Sequence, residues 1–379
     1  MPFCFLFTAY IHIMSDLPAL RQKIDSLDTT LVNILNERAR VSLDIGAAKR
    51  KDTGAEETAD ADVQVFRPGR EKEIYKKLTR LNSGPLNDDS LHAIFREIMS
   101  ASIALQKDVS IAYLGPPGTF SHQAAYKRLG DSVAYVPQKQ IDDVFEAVEK
   151  GQTTYGIVPF ENSTFGSVVE TLDYFIHTSV RVRAETYLTV HQCLLSNSKL
   201  DKITKVYSHP QGLGQTQKWL SAHIPNAKRI AVKSTAEAAE KAALETGAAA
   251  VCSEICAELY GLEIVEANIE DLAANTTRFL LIGAASDSPT NDDHTLITFT
   301  VDHRQPGALC DGLKVFKDYG LNLFKIDSRP SGQRPWHYVF FVECSGHFEG
   351  EDIKKALKDL EEFCLDIVVL GSFPNQRPE

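Results

Sequence analysis

The sequence predicts a multidomain chain: an all-α segment, then a two-lobed α/β segment, then a small α+β segment. Three observations carry this. Apolar residues recur at helical spacing through roughly the first hundred residues. Short apolar runs rich in β-branched residues then alternate with helical stretches from about Val109 to Ala285. From His294 onward the pattern is strand, helix, two strands, helix, strand. At 379 residues the chain is long for one core, which suits two or three domains.

The first segment, 15–107, opens with Ser15 and Asp16 as capping residues and Pro18 in the first turn. Leu20, Ile24, Leu27, Leu31, Ile34 and Leu35 follow on one face, and the pattern runs through Val41 and Ile45 to Lys51, with Gly54 beyond it. A helix of roughly 36 residues would extend about 54 Å. It cannot bury its apolar stripe against itself, so it implies a bundle or a partner chain. Thr53 to Gln64 is polar and acidic and is expected to be a mobile loop. A second helix is predicted over Pro68 to Leu81, broken by Asn82-Ser83-Gly84-Pro85. Leu91, Ile94, Phe95, Ile98, Ser102 and Leu105 line one face of a third.

In the second segment, 109–285, Val109 to Leu114 predicts a strand, followed by a Gly/Pro loop and a helix from Ser121. Ile157-Val158 predicts another strand ending in a polar loop. After Glu185 a second set begins, with strands at Leu188 to Leu195, Val206-Tyr207, Ile230 to Val232 and Ala249 to Cys252. Ser234-Thr235-Ala236-Glu237 is a capping-box pattern at the head of an Ala-rich helix. Two α/β lobes around a cleft follow, with sites expected beyond the carboxyl ends of the strands. Asp287 to Asp293 is a linker. The third segment, 294–379, has a ferredoxin-like order: strands at 295–301, 321–326, 337–343 and 367–370, helices at 309–319 and 352–364.

The composition, 43% hydrophobic and 24% charged, is that of an ordinary soluble protein. A formal net charge of -11 argues against nonspecific nucleic-acid binding but leaves room for a local basic pocket. Seven cysteines without a CxxC pair predict reduced thiols and a cytoplasmic protein. Cys252 and Cys256 are expected to share a helix face as small buried residues. Met1 to Met14 is apolar, lacks a basic start and is too short to span a bilayer. It is expected to be a disordered leader, with Met14 as the natural beginning. No membrane or nucleic-acid partner is expected.

Any single charge on these helices would ordinarily face solvent. Taken together, Arg38 and Lys49, about three turns apart, project from one face, and Gln106 follows the stripe of the third helix. Two cations and an amide converging inside a bundle call for an anionic ligand. Arg21 lies roughly 25 Å from Arg38 along the axis and about 100° round it. It cannot serve the same pocket within one chain, but it could serve that of a second chain.

The segment resembles the all-helical class of chorismate mutase, through Leu20-Arg21-Gln22-Lys23-Ile24, Glu37-Arg38, Gly46-Ala47-Ala48-Lys49, Arg70-Glu71 and Gln106. The resemblance implies that Arg38, and Arg21 from a partner, hold the two substrate carboxylates. It implies that Lys49 and Gln106 bond the ether oxygen, that Glu71 holds the ring hydroxyl, and that Arg70 and Ser102 line the pocket. Arg67 departs from the Asp carried by some relatives.

The central segment carries Gly115-Pro116-Pro117-Gly118-Thr119-Phe120-Ser121, then Pro159-Phe160-Glu161-Asn162-Ser163-Thr164, Ser208-His209-Pro210-Gln211 and Asn275-Thr276-Thr277-Arg278-Phe279. Alone, each reads as an ordinary turn or cap, and none is a nucleotide-binding loop. In this order they resemble prephenate dehydratase. The resemblance implies that Thr277 takes part in protonating the departing hydroxide and that Arg278 anchors a carboxylate. Thr119, Ser121, Glu161, Asn162, Ser163, Ser208, His209 and Gln211 would line the cleft, with no metal or cofactor. Gly212, Gly214 and Phe165 depart from the familiar pattern.

Gly307-Ala308-Leu309-Cys310 and Asp327-Ser328-Arg329-Pro330 resemble the ACT domain, implying a phenylalanine site at Gly307, Ala308, Leu309, Asp327, Ser328 and Arg329 between paired domains. The whole resembles a bifunctional chorismate mutase–prephenate dehydratase, at least a homodimer, acting on chorismate and prephenate and inhibited by phenylalanine. Two rival readings remain: a bilobal sensor like periplasmic solute-binding proteins, and a dehydratase whose helices only dimerise. Thr277 beside Arg278 speaks against the first, and Lys49, Glu71 and Gln106 against the second.

Overall fold

A computed structural model describes residues 3–52, 64–272, 274–302, 304–332 and 334–378, with side chains from Leu17 onward. The first segment holds α1 (Phe3–Asp52), α2 (Pro68–Leu81) and α3 (Asp88–Ala104). α1 starts well before the expected Ser15 and runs through the stretch read as a disordered leader, so Pro18 lies inside it. Most of the expected mobile loop, residues 53–63, lies outside the described residues. α2 has the predicted bounds, with Pro68 at its first turn. α3 is capped by Asn87, whose side chain accepts from Ser90 N at 2.7 Å.

The first lobe comprises β1 (Ser110–Leu114), α4 (Phe120–Leu129), β2 (Ala134–Gln138), α5 (Ile141–Glu149), β3 (Tyr155–Asn162), β4 (Gly166–Ser167), α6 (Val169–Phe175) and β5 (Arg181–Thr189). The second holds β6 (Cys193–Ser196), β7 (Lys205–Ser208), α7 (Pro210–Gln215), α8 (Gln217–His223), β8 (Lys228–Ala231), α9 (Thr235–Leu244), β9 (Ala248–Cys252), α10 (Ile255–Tyr260) and β10 (Glu263–Glu266). The chain then returns to the first lobe as β11 (Thr276–Gly283). The first sheet runs β2-β1-β3-β11-β5, with β4 on β3, and the second β10-β6-β9-β7-β8.

Two expectations change here. The single strand expected over Leu188 to Leu195 is two strands in different sheets. Between them Val190 N donates to Asn275 O and Gln192 N to Glu270, so the backbone leaves one lobe for the other. Cys252 ends β9 and Cys256 lies in α10, so they do not share a helix; both are fully buried.

The third segment is βαββαβ as expected: β12 (Asp293–Val301), α11 (Ala308–Asp318), β13 (Leu323–Pro330), β14 (Tyr338–Ser345), α12 (Glu351–Leu360) and β15 (Cys364–Pro374). Its antiparallel sheet runs β13-β14-β12-β15. The segments share cores. Leu296, Phe341, Leu370 and Phe373 of the third pack with Phe160, Val182 and Leu280 of the first lobe. Val65 and Phe66, just before α2, join Ile111, Tyr155 and Phe279.

β15 packs against β5 at Gly371, whose φ is +151° and where an added Cβ would strike the Val182 carbonyl. Gly371→Ala is expected to destabilise the protein by about 2–3 kcal/mol, seen as a lowered melting midpoint.

Candidate active sites

β11 explains why Thr277 is placed as it is. It lies between β3 and β5 with Thr277 opposite Asn162 and Arg278 opposite Glu161. The residues expected in loops are therefore on strands, along the margin of the first sheet where the inner strand β3 ends and β11 begins. Asn162 Nδ2 donates to Thr277 Oγ1 at 2.9 Å and to Asn275 Oδ1 at 2.8 Å. Ser163 ties the same edge through its backbone N–H to Thr276 O (2.8 Å) and its hydroxyl to Ala274 O (3.1 Å).

Neighbouring side chains on a strand point to opposite faces, so Arg278 points away from Thr277. This corrects the expectation that Arg278 anchors a carboxylate of the ligand beside Thr277. Its guanidinium is bidentate on Glu343 of β14 (2.7 and 2.8 Å). Nε lies 2.7 Å from Glu185, off the line of its N–H, so that contact is an ion pair without a hydrogen bond. The rings of Phe160, Tyr187 and Phe373 surround it at 5.4–5.9 Å. Arg278 and Glu343 are 7% and 1% exposed, which leaves the cation no free face. Burial pushes the Glu343 carboxyl up, but the His294 hydrogen bond and the Arg278 charge outweigh it and hold the group at about 2. Among the described residues, Glu185, His294 and Glu343 bring ligand-type atoms within 4.8 Å of one another, and Arg278 already supplies the positive charge there. Glu161 shares this face: Lys325 of β13 reaches its carboxylate at 2.9 Å.

Several expected lining groups are engaged elsewhere. Thr119 caps α4 and its hydroxyl donates to Leu114 O at 2.9 Å. Ser208 is fully buried and donates to Val251 O at 2.6 Å, so it does not line open space. Ser121 is buried, while His209, half-buried, caps α7 by accepting from Gln211 N. Gln211 is exposed. The Gly115–Gly118 loop meets the second lobe: Ser253 and Cys256 both donate to Gly118 O and Tyr260 to Pro117 O, at 2.6, 3.1 and 2.8 Å. Sequence reasoning singled out none of these lobe–lobe contacts.

In the helical segment Arg38 donates to Ser102, and Lys49 Nζ lies 3.3 Å from Gln106 Oε1 and 3.0 Å from Gln64 O. A cavity of about 370 Å³ opens beside Arg38 and Ser102, lined also by Leu35, Glu97, Ile98 and Leu105 among others. Burial lowers the proton affinity of both cations, and for Lys49 the nearby Arg67 charge adds to it. An anion in the cavity would relieve Arg38. Two expected members are elsewhere. Glu71 is buried and paired with Arg128 of α4, which corrects its expected place in this pocket. Arg70 is exposed and paired with Glu73 at 2.9 Å. Arg21 is exposed, as are Leu20, Ile24, Leu27 and Leu31, each more than half.

In the third segment Gly307 (φ +87°) caps α11, with Ala308 buried and Leu309 half-buried behind it. Asp327 accepts from Ser167 (2.7 Å) and Arg329 grips Asp173 (2.6 and 2.9 Å), while Ser328 is exposed. Two of the expected inhibitor-site residues thus hold the first lobe.

The fold and these clusters define a three-module enzyme, and comparison with known proteins agrees. Residues 20–107 match the family model for chorismate mutase type II, 111–287 that for prephenate dehydratase and 295–362 that for the ACT domain. A bifunctional chorismate mutase/prephenate dehydratase of Stutzerimonas stutzeri is 42% identical over 94% of this chain and 97% of its own. A structure of prephenate dehydratase with L-Phe from Arthrobacter aurescens superposes with a TM-score of 0.65 at 30% identity, covering 72% of this chain and 92% of that one. A structure of GqqA, a quorum quenching acylase, gives the same TM-score at 27% identity, covering 70% of this chain and 98% of that one. The chain belongs to the bifunctional chorismate mutase/prephenate dehydratase family. Among the described residues no helix is long and apolar enough to cross a membrane.

Glu343 makes stability pH-dependent. Its carboxyl falls from an ordinary 4.5 to about 2 on folding, so its contribution is complete above pH 4.5 and is lost as pH falls through 2. The difference amounts to about 3 kcal/mol. Glu343→Gln should lower the melting midpoint at pH 7 and flatten its decline between pH 4.5 and 2, followed by acid titration of circular dichroism.

Proposed function

We propose that one chain catalyses two successive reactions with the residues placed above. Chorismate rearranges to prephenate in the helical segment, 15–107. Prephenate loses water and carbon dioxide at the β3–β11 edge of segment 109–285, giving phenylpyruvate. Phenylalanine acts on segment 294–379 as feedback inhibitor. The observation that carries this reading is the pair of separate clusters: Arg38 and Ser102 lining a cavity, with Lys49 bonded to Gln106, whose amide donates to Ser102 O; and Thr277 held by Asn162 at a sheet edge.

The rearrangement is pericyclic and needs no proton shuttle. Arg38 supplies a fixed cation for a carboxylate, and Lys49 with Gln106 faces the ether oxygen as negative charge develops. At the second site hydroxide is a poor leaving group and must be protonated as its bond breaks. The Thr277 hydroxyl is the donor, and His209 and Gln211 on the second lobe complete the cleft. Glu161 and Arg278 act from the far side of the sheet, where Lys325 and Glu343 hold them. Inhibition is supported by Asp327 and Arg329, which bind the first lobe and so connect an inhibitor site to it.

The exposed stripe of α1 favours a homodimer or higher assembly, in which Arg21 enters the partner's helical pocket. Reduced cysteines and the biosynthetic role favour the cytoplasm.

Thr277→Ala should abolish phenylpyruvate formation while chorismate consumption stays within about twofold of wild type. Lys49→Ala should do the reverse when prephenate is supplied. Purified protein assayed with each substrate decides, and loss of both activities in either folded variant refutes the division. Mixing Arg21→Ala and Lys49→Ala proteins after subunit exchange should restore part of the mutase activity, because mixed dimers regain one whole site. No recovery would exclude a shared pocket.

A further inference from the structure

We infer that Asn275 is a positioning residue for the dehydratase reaction: through Asn162 it aims the Thr277 hydroxyl proton into the cleft. The inference rests on Thr277 being the proton donor.

The direction of each hydrogen bond can be established. Asn162 Oδ1 receives the backbone N–H groups of Thr164 (2.9 Å) and Phe165 (3.0 Å). Backbone N–H groups can only donate, so that atom is the oxygen and the amide cannot be flipped. The other atom is therefore the NH₂ group, with two protons. One goes to Thr277 Oγ1 at 2.9 Å, the other to Asn275 Oδ1 at 2.8 Å. The Asn162 amide is then saturated at both ends.

A hydroxyl has one proton and two lone pairs. Since Thr277 Oγ1 accepts from Asn162, its own proton is not consumed in that bond and is free for the leaving group. Asn275 is 6% exposed, and its backbone carbonyl accepts from Val190 N at 2.7 Å, where the chain crosses between lobes. Its side-chain oxygen thus sits on a fixed backbone. It holds the second Asn162 proton and keeps the amide plane turned toward Thr277.

In the reaction, the C–O bond to the ring hydroxyl breaks and the oxygen leaves with that electron pair, taking the Thr277 proton to become water. The electron pair of the breaking C–CO₂ bond enters the ring, completing aromaticity, and carbon dioxide departs. Thr277 Oγ1 regains its proton from solvent water. No oxidant or reductant is involved.

The test uses the full chain and prephenate, with the chorismate reaction of each preparation as a control for folding. Asn275→Ala should lower dehydratase kcat by about tenfold with KM within about twofold, and Asn275→Asp, which keeps the acceptor, should recover most of kcat. Asn162→Asp keeps an acceptor for the two backbone N–H groups but replaces the NH₂ with an oxygen that would draw the Thr277 proton. It should lower kcat by about a hundredfold. The inference is overturned if Asn275→Ala keeps wild-type kcat, if Asn275→Asp is no better than Asn275→Ala, or if Asn162→Asp stays active. If Thr277→Ala remains active, the underlying assignment of the donor is what fails.

Discussion

A buried guanidinium binds two modules of this protein together. Arg278 is enclosed by sheet and rings, and an unpaired charge in such a place would cost several kcal/mol. Glu185 from its own sheet and Glu343 from the third segment supply the counter-charge, with His294 bonded to the latter. The pair ties β11 to β14 beside the apolar seam where Phe160, Phe341 and Phe373 meet. The geometry of the Thr277 edge is thereby dependent on a domain that contributes no residue to the Thr277–Asn162–Asn275 cluster.

A comparable tie joins the helices to the first lobe. Glu71 and Arg128 are both buried, and Arg128 also lies over Phe66 at 5.1 Å. Burial raises the Glu71 carboxyl, and the charge and hydrogen bond of Arg128 oppose that rise. α4 carries Arg128 near one end and Thr119 as its cap at the other. The helix that reaches the expected dehydratase loop is therefore the one that anchors α2.

Much of this was legible in the sequence, for identifiable reasons. The bounds of α2 follow from Pro68 and from Asn82 to Pro85, and the six elements of the third segment from clean changes of period. Ser234 caps α9 by accepting from Glu237 N as its spacing predicts, while Glu237 reaches back to Lys233 N, one residue before the cap. Arg38 and Lys49, three turns apart, both turn toward the end of α3, Arg38 to Ser102 and Lys49 to Gln106. What was not legible is tertiary. No local pattern says that an apolar run from Leu188 to Leu195 changes sheets at Val190, or that the carboxylate on Arg278 comes from Glu343, 65 residues away. Nor could spacing reveal that Glu71 would find Arg128 57 residues later. The role of Asn162 was partly visible as a motif, but its saturation required Thr164 and Phe165 to present their amides, which is a property of the turn after β3.

The alternation along β11 has an evolutionary corollary. Thr277 and Arg278 occupy adjacent positions with incompatible surroundings, one half-open and polar, the other sealed and ionic. A single-residue deletion between Leu272 and Thr276 that slid the strand by one place would put Arg278 where Thr277 stands and Phe279 where Arg278 stands, sending a cation toward the substrate and an apolar ring among carboxylates. The short return from β10 to β11 should therefore tolerate substitution far better than change of length, and natural length variation in this protein's lineage should fall in other connections.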